Sequence, residues 1–281
     1  MPKNWSGEVT ELLRADGVQV ADLDTSATPG FDGTKPEGQT LLAERSLVLS
    51  DLQEKLYANG RSGDPRSVLL VLQGMDTAGK GGIVRSVIGA VDPQGVDHAA
   101  FGVPTEEEQR HHYLWRIRKA LPRAGQLGVF DRSHYEDVLV ARVRRLVPVQ
   151  EWERRYDEIN HFEYQLRDED ITLVKVAMFV SLDEQKNRLR ERLERPDKYW
   201  KFNPSDIDER AYWPEYREAY QAMLDRTSTE HAPWYVVPAD RKWYSRLAIN
   251  ELLIHAFSGL DLDWPAARFD IEAEKRRLEA S

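Results

Sequence analysis

The 281-residue chain contains no cysteine, which excludes disulfides, thiolate zinc sites and cysteine nucleophiles and is compatible with a reducing compartment. It lacks any apolar run approaching 18 residues, and Met1-Pro2-Lys3-Asn4-Trp5 offers no signal-peptide core. The expectation is therefore no membrane and a cytoplasmic location. An excess of basic charge is missing as well: 39 Lys and Arg stand against 48 Asp and Glu, a formal net charge of −9. General attraction to nucleic acid is excluded, and any polyanion must meet a local basic patch. There is no internal repeat and no low-complexity segment. What is present, 41 % hydrophobic residues with ordinary Gly and Pro content, suits one large α/β domain.

Residues 1–38 mix Gly, Pro, Thr and Asp without sustained periodicity and read as an irregular arm, with a short helix near Val9 to Leu13. A helical pattern runs from Leu41 to Tyr57 and ends at Gly60-Arg61-Ser62-Gly63-Asp64-Pro65. Buried-strand runs follow at Ser67 to Leu72, Gln126 to Phe130, Ile171 to Val180 and Trp234 to Val237, separated by helix-like segments. That alternation predicts right-handed crossovers and a parallel sheet covered on both faces. Thr105, Ser181 and Ser205 each precede a carboxylate by three residues, the pattern of a helix N-cap with reciprocal amide satisfaction. Residues 39–262 form the expected main domain, and 263–281 a polar, helical, solvent-facing tail.

The most informative stretch follows the first of these strands: Gly74-Met75-Asp76-Thr77-Ala78-Gly79-Lys80-Gly81-Gly82. It matches the Gly-x-x-x-x-Gly-Lys part of a P-loop, but Gly81 stands where a Ser or Thr hydroxyl normally helps hold magnesium. A strand entering a Gly-rich turn and then a helix aims backbone N–H groups and the positive end of the helix dipole at one point. Gly74 and Gly79 permit the turn, Gly81 and Gly82 let phosphates approach the helix start, and Thr77, Ala78 and Lys80 complete the cradle. Asp76 either caps an amide within the turn or faces phosphate through a divalent cation, for which magnesium is the natural choice. A lost hydroxyl and a gained carboxylate together point to a phosphoryl donor other than the usual nucleotide.

A second carboxylate, Asp131, ends the run Leu127-Gly128-Val129-Phe130, where doubly wound sheets put their ligand crevice. Asp76 and Asp131 are the candidate metal ligands, sharing magnesium ions that keep most of their waters. Arg132 offers a planar fork suited to phosphate. Ser133 suits a helix cap, and His134-Tyr135-Glu136-Asp137 would form the first helical turn beside the crevice. Glu136 and Asp137 there either favour the helix dipole or touch a nucleotide acceptor, and His134 is either a packing or a functional residue. Further on, Lys186 to Lys201 carries seven basic residues against three acidic ones, a local net of +4. Arg188 and Arg192 share a helix face. This segment is either a solvated face or a lid, spanning about 186–210, whose arginines close over a transferring phosphoryl group. Trp200-Lys201-Phe202 beside Pro196 is expected to order it partly.

These residues resemble the polyphosphate kinase 2 family of polyphosphate:nucleotide phosphotransferases. The resemblance rests on the Gly74–Gly82 loop, Phe130-Asp131-Arg132-Ser133-His134-Tyr135-Glu136-Asp137, Tyr199-Trp200-Lys201-Phe202, and Thr227-Ser228-Thr229-Glu230 through Ala239-Asp240-Arg241-Lys242-Trp243. It spans about Leu41 to Phe257. It implies a P-loop fold related to thymidylate kinase, an α/β three-layer α/β/α sandwich with a parallel sheet and a helical lid. It implies magnesium as cofactor, with manganese as a substitute, and a homo-oligomer. The partners it implies are inorganic polyphosphate and nucleoside mono- and diphosphates. The expected reaction is reversible transfer of the terminal phosphate of polyphosphate to AMP or ADP, with GMP and GDP as further acceptors. By that resemblance Asp76 and Asp131 manage metal and phosphates, and Lys80 and Arg132 neutralise the transferring and acceptor phosphates. Arg192 is the lid arginine and Lys201 contacts the donor; the reading of the residues themselves adds Arg188 as a phosphate contact and Ser133, Glu136 and Asp137 as nucleotide contacts. Many members carry Trp and then Asn where this chain has His134 and Glu136; the form present here is similar to the subgroup accepting both mono- and diphosphates. Two competing readings share the fold: an ATP-dependent nucleoside monophosphate kinase, opposed by Gly81 and Asp76, and a regulatory P-loop module that binds without turnover.

Overall fold

Every residue of Ser67–Gly74 (β1) is buried, and a strand with apolar side chains on both faces needs a layer against each. In the computed structural model, which describes residues 4–281, that strand is central in a five-stranded sheet. Its companions are Val96–Ala100 (β2), Leu127–Asp131 (β3), Ile171–Phe179 (β4) and Trp234–Pro238 (β5). The order is β2-β3-β1-β4-β5, and every pairing is parallel. Parallel neighbours cannot be joined by tight turns, so helices carry the chain back across the faces. Before β2 these are Val9–Leu12 (α1), Lys35–Arg61 (α2) and Lys80–Ser86 (α3); between β2 and β4 they are Glu106–Gln109 (α4), Leu114–Lys119 (α5), Val140–Val143 (α6) and Val149–Asp168 (α7). After β4 come Leu182–Glu194 (α8), Ser205–Glu209 (α9), Trp213–Thr227 (α10), Lys242–Ser258 (α11) and Ile271–Glu279 (α12).

The strand period of two sorts the core into two clusters. Val68, Leu70 and Leu72 join Leu49 and Leu56 of α2 and Leu247 and Leu252 of α11 on one face. Leu69 and Val71 join Ile159 and Phe162 of α7 and Tyr220 and Met223 of α10 on the other. This is the expected three-layer α/β/α arrangement, and the four strands read from apolar runs are all present. β2 was not among them. Its sequence, Val96-Asp97-His98-Ala99-Ala100, is polar and partly exposed because it lies at the sheet edge, so it carries no apolar signal.

Other boundaries differ from the sequence expectation. Helix α2 starts inside the arm, at Lys35, because the Thr34 N–H donates to the Glu37 carboxylate at 2.7 Å in a capping box and Pro36 pre-sets the first turn. Thr105 and Ser181 cap their helices, their hydroxyls accepting from Glu108 and Glu184 N–H. Ser205 does not: it is the first helical residue, and its N–H donates to Asn203 Oδ1 at 3.1 Å. His134–Asp137 forms a 3-10 turn ahead of α6 rather than the start of one helix. The arm is irregular but firmly seated. The Ala15 N–H donates to Trp234 O and the Val236 N–H to Leu13 O, covering the open edge of β5. The tail helix α12 buries nothing, as its polar sequence implies.

Beneath the sheet's C-terminal half lies a fully buried polar group of charged side chains. Lys175 on β4 donates to Glu163 Oε2 at 2.6 Å, Thr227 O at 2.6 Å and Tyr135 Oη at 3.0 Å. The Tyr135 hydroxyl donates to Glu163 Oε1 at 2.6 Å, and His134 Nε2 lies 3.1 Å from the same oxygen. His134 is thus a packing residue, holding the turn that carries Glu136. A buried pair of this kind is costly to break because the surviving charge loses its partner. Lys175→Met is expected to lower unfolding free energy by about 3–5 kcal/mol. Urea denaturation checks it, and a change below about 1 kcal/mol would mean that Glu163 finds other compensation.

Candidate active site

The parallel sheet delivers two carboxylates to one place. Leu72 and Asp131 are register partners on β1 and β3, so Asp131 ends its strand beside the start of the glycine-rich turn that carries Asp76. Within that turn Thr77 (φ 67°) and Gly79 (φ 113°) adopt left-handed backbone, Gly79 at little cost because it has no Cβ. Helix α3 begins at Lys80, so the N–H groups of Lys80 and Gly81 have no intrahelical acceptor and face outward with the positive end of the dipole. A Cβ built on Gly81 meets no atom within 4 Å. The position of the missing P-loop hydroxyl is therefore open space rather than packed protein.

The result is a cavity of about 400 Å³ bounded by Asp76, Lys80, Asp131, Arg132, Arg192 and Lys201. Thr77, Gly79, Gly81 and Gly82 form its cradle, and Ala100, Phe101 and Gly102 at the end of β2 close the far side. The Lys80 ammonium is buried and donates to Gly74 O at 2.6 Å, which fixes it at the base of the cradle. Arg132, itself in left-handed backbone at φ 66°, donates to Asp76 Oδ1 at 2.9 Å. Burial alone would weaken its charge, but Glu136, Asp76 and Asp131 around it hold the guanidinium more firmly protonated than usual. The Thr77 hydroxyl is buried without a partner, an unmet polar group of the kind that a bound oxyanion satisfies.

Two hard-oxygen carboxylates on one cavity wall beside that cradle fit magnesium, which keeps several waters and binds through one or two carboxylates and phosphate oxygens. No group of three or more His, Cys, Asp or Glu suited to a metal occurs among the described residues.

The basic segment divides in a way the sequence reading did not anticipate. Arg188 does not line this cavity; it borders a smaller neighbouring one, with its donors engaged by the protein. All its donors are taken, by Glu184 at 2.7 Å, Thr77 O at 2.8 Å, Ala78 O at 3.3 Å, Ala239 O at 2.6 Å and Asp240 O at 3.0 Å. It is a buried brace that ties the back of the P-loop to the end of β5. Arg192, one turn further along α8, does border the cavity, held by Asp206 at 3.1 Å and Lys201 O at 3.0 Å. Trp200 is 78 % exposed, so it does not order the segment by burial as expected.

The nucleotide candidates also divide. Ser133 is buried, and its hydroxyl accepts from the Tyr135 N–H, which makes it a turn cap. Asp137 points to Arg155 at 3.1 Å and does not line the cavity. Glu136 stays close to the site: it accepts from Gln73 Nε2 at 3.0 Å and interacts electrostatically with Arg132 and Lys80. Burial pushes its carboxyl above the ordinary value despite those cations. Sequence reasoning missed Phe101 and Gly102, which follow the unrecognised β2. It also missed Gln185, whose Nε2 donates to Asp76 O at 3.1 Å and steadies the loop.

A model of the polyphosphate kinase 2 family matches residues 33–263. Among curated proteins, the chain is 47 % identical over 254 residues to an AMP/ADP-polyphosphate phosphotransferase of Meiothermus ruber, covering 90 % of this chain and 94 % of that one. It is 37 % identical over 260 residues to an ADP-polyphosphate phosphotransferase of Rhodopseudomonas palustris, covering 88 % of each. A crystal structure of polyphosphate kinase 2 from Arthrobacter aurescens superposes with a TM-score of 0.96 at 51 % identity, over 99 % of this chain and 98 % of that one.

Arg188→Ala is expected to cost about 3 kcal/mol, since buried carbonyls lose their donor, and to abolish most activity by releasing the loop. Chemical denaturation and initial rates measured together check this; full activity would show that the loop holds itself. Glu136 supplies a pH test. Because its folded carboxyl titrates above the ordinary 4.5, its ionisation penalises the folded state as pH rises through that raised value. Glu136→Gln is thus expected to gain stability relative to the parent between pH 4 and 8, as read by unfolding midpoints, and a constant difference would contradict the assignment.

Proposed function

The chain belongs to the polyphosphate kinase 2 family, and from that membership we propose that it is a polyphosphate:AMP/ADP phosphotransferase working through the cavity between Asp76, Lys80, Asp131 and Arg132. The observation that carries the reading is the convergence of two carboxylates and four cations, Lys80, Arg132, Arg192 and Lys201, on one phosphate cradle. A cavity with that many cations is built for several phosphates at once, and an acceptor phosphate and a donor end are the two that this reaction brings together.

In the reaction a terminal phosphate oxygen of AMP or ADP attacks the end phosphorus of polyphosphate. The new P–O bond forms as the bridging P–O bond breaks, and the shortened polyphosphate leaves with the electron pair. Little covalent work falls to the protein; it aligns the partners in line and neutralises charge. Lys80 and the free N–H groups of the cradle hold the donor end. Arg132 holds the acceptor phosphate, kept in place by Asp76. Arg192, on the segment over the cavity, neutralises charge spread over the transferring group. Asp76 and Asp131 would hold magnesium, or manganese in its place, which when bound screens phosphate charge from the two carboxylates. Glu136, held by Gln73, supports the charge of Arg132 electrostatically.

The same reading extends to a cytoplasmic homo-oligomer that also accepts GMP and GDP. No helix among the described residues is long and apolar enough to cross a membrane, and the net charge of −9 opposes nucleic acid as a partner.

The test is a matrix of donors, polyphosphate or ATP, against AMP, ADP, GMP and GDP, with magnesium, manganese or a chelator. Product is expected with polyphosphate and a divalent ion. Asp76→Asn and Lys80→Ala are each expected to lower kcat/KM by about 100-fold or more. No product from polyphosphate, with ATP and AMP reacting in its place, would assign the site to an ordinary nucleoside monophosphate kinase.

A further inference from the structure

The cations of the catalytic cavity do not end there. A neighbouring cavity of about 200 Å³ shares Thr77, Gly79, Gly82, Arg192 and Lys201 with it and adds the cations Arg188, Lys198, Lys242 and Arg246 and one carboxylate, Glu191. Lys242 and Arg246 in turn line a third and larger cavity, of about 630 Å³, where they are joined by Lys35 and Arg241. Each cavity thus borders the next through shared lining residues. The series runs from the P-loop, past the start of α11, to the start of α2.

Positive charge is in excess in the outer cavity, where Lys35, Arg241, Lys242 and Arg246 stand against Glu184 and Asp240. Its two carboxylates are already engaged: Glu184 with Arg188, and Asp240 with the Thr25 hydroxyl and the Ser181 N–H, each at 2.8 Å. Lys242 reaches Glu191 only at 3.7 Å, and among the described residues Lys35, Arg241 and Arg246 form no ion pair. Burial and its like-charged neighbour Arg85 weaken protonation of Arg246, and burial with Lys198, Arg192 and Arg85 does the same to Lys201. Arg246 and Lys201 thus stand among like charges in a protein with nine more acidic than basic residues. Repulsion between like-charged neighbours is a cost that a bound polyanion would relieve. In addition, Lys35 and Lys242 are the first residues of helices of 27 and 17 residues, so two dipoles present their positive ends to the same cavity.

A single phosphate or nucleotide would occupy one of these cavities and leave the others unmatched. A linear polyanion fits all three. We propose that the outer cavity formed by Lys35, Arg241, Lys242 and Arg246 is an exosite for the distal phosphates of a long polyphosphate whose end lies in the P-loop, and that it makes the protein favour long donors over short ones. The inference rests on the polyphosphate reading above and adds to it a determinant of chain length, built partly from the N-terminal arm.

The test uses the full chain with Lys35 and Arg241 changed together, as Lys35→Ala/Arg241→Ala and as Lys35→Glu/Arg241→Glu. Both side chains are exposed and line only the outer cavity, and unchanged thermal midpoints control for folding. With long-chain polyphosphate, the KM counted in chain ends is expected to rise about tenfold at low salt for the alanine pair and further for the glutamate pair, the difference shrinking as salt is added. With tripolyphosphate, too short to leave the catalytic cavity, KM is expected to stay within about twofold. Direct binding of long-chain polyphosphate without acceptor should weaken in parallel, whereas orthophosphate should not compete with it at the outer cavity. An equal effect on long and short donors, no effect on either, or orthophosphate competition alone would overturn the exosite. A parent protein inert with every polyphosphate but active with ATP would instead overturn the reading beneath it, and the two failures are distinguishable.

Discussion

The geometry of the site depends on one buried guanidinium. Arg188 joins the carbonyls of Thr77 and Ala78, on the P-loop, to those of Ala239 and Asp240, after the last strand, through its two Nη groups, while its Nε donates to Glu184. A glycine-rich turn has little conformational preference of its own, and ordering it costs backbone entropy that local contacts do not recover. The brace supplies that order from behind, leaving the front of the loop, with its outward N–H groups, free for phosphate. Gln185, one turn earlier on the same helix, adds a contact to Asp76 O. Helix α8 thus holds the cradle with its first half and reaches over the cavity with Arg192 in its second.

In front of the loop, electrostatics organise the rest. Asp76 and Arg132 form a part-exposed pair, and such pairs contribute little to stability. Their importance is positional. Arg132 sits in left-handed backbone and donates to Asp76, which sets its direction, while Asp76, Asp131 and Glu136 nearby keep its charge secure. Glu136 is in turn carried on a turn anchored by the buried Lys175, Glu163, Tyr135 and His134 group. A charge network with no access to solvent fixes the depth of a cavity whose working surface is wet.

Much of this was legible in order of residues. Strands β1, β3, β4 and β5 announce themselves as apolar runs, since a buried parallel strand must be apolar on both faces. Asp76, Lys80, Asp131, Arg132, Arg192 and Lys201 were recognisable and do meet at one cavity. Arg188 was misread because charge and helical spacing say which residues share a face but not that the face turns inward. Ser133 and Asp137 were drawn toward the site by adjacency, yet a tight turn sends successive side chains in different directions, one into the cap and one to Arg155. β2 and its Phe101-Gly102 end were invisible because an edge strand needs no apolar signature.

The sequence by itself determined the local chemistry: a glycine turn that opens a helix N-terminus to oxyanions, a carboxylate in place of a hydroxyl strategy, and strands whose burial forces a covered sheet. These follow from short-range sterics and from the period of the side chains, which neighbouring residues carry with them. Only the tertiary structure decided which cations face phosphate and which face carbonyls, that Lys175 meets Glu163, and that Lys35 in the arm joins Arg241 and Arg246 beyond the catalytic cavity. The partners in those contacts are separated by up to 211 positions, and their meeting is fixed by strand order and helix packing, which no local stretch of chain encodes.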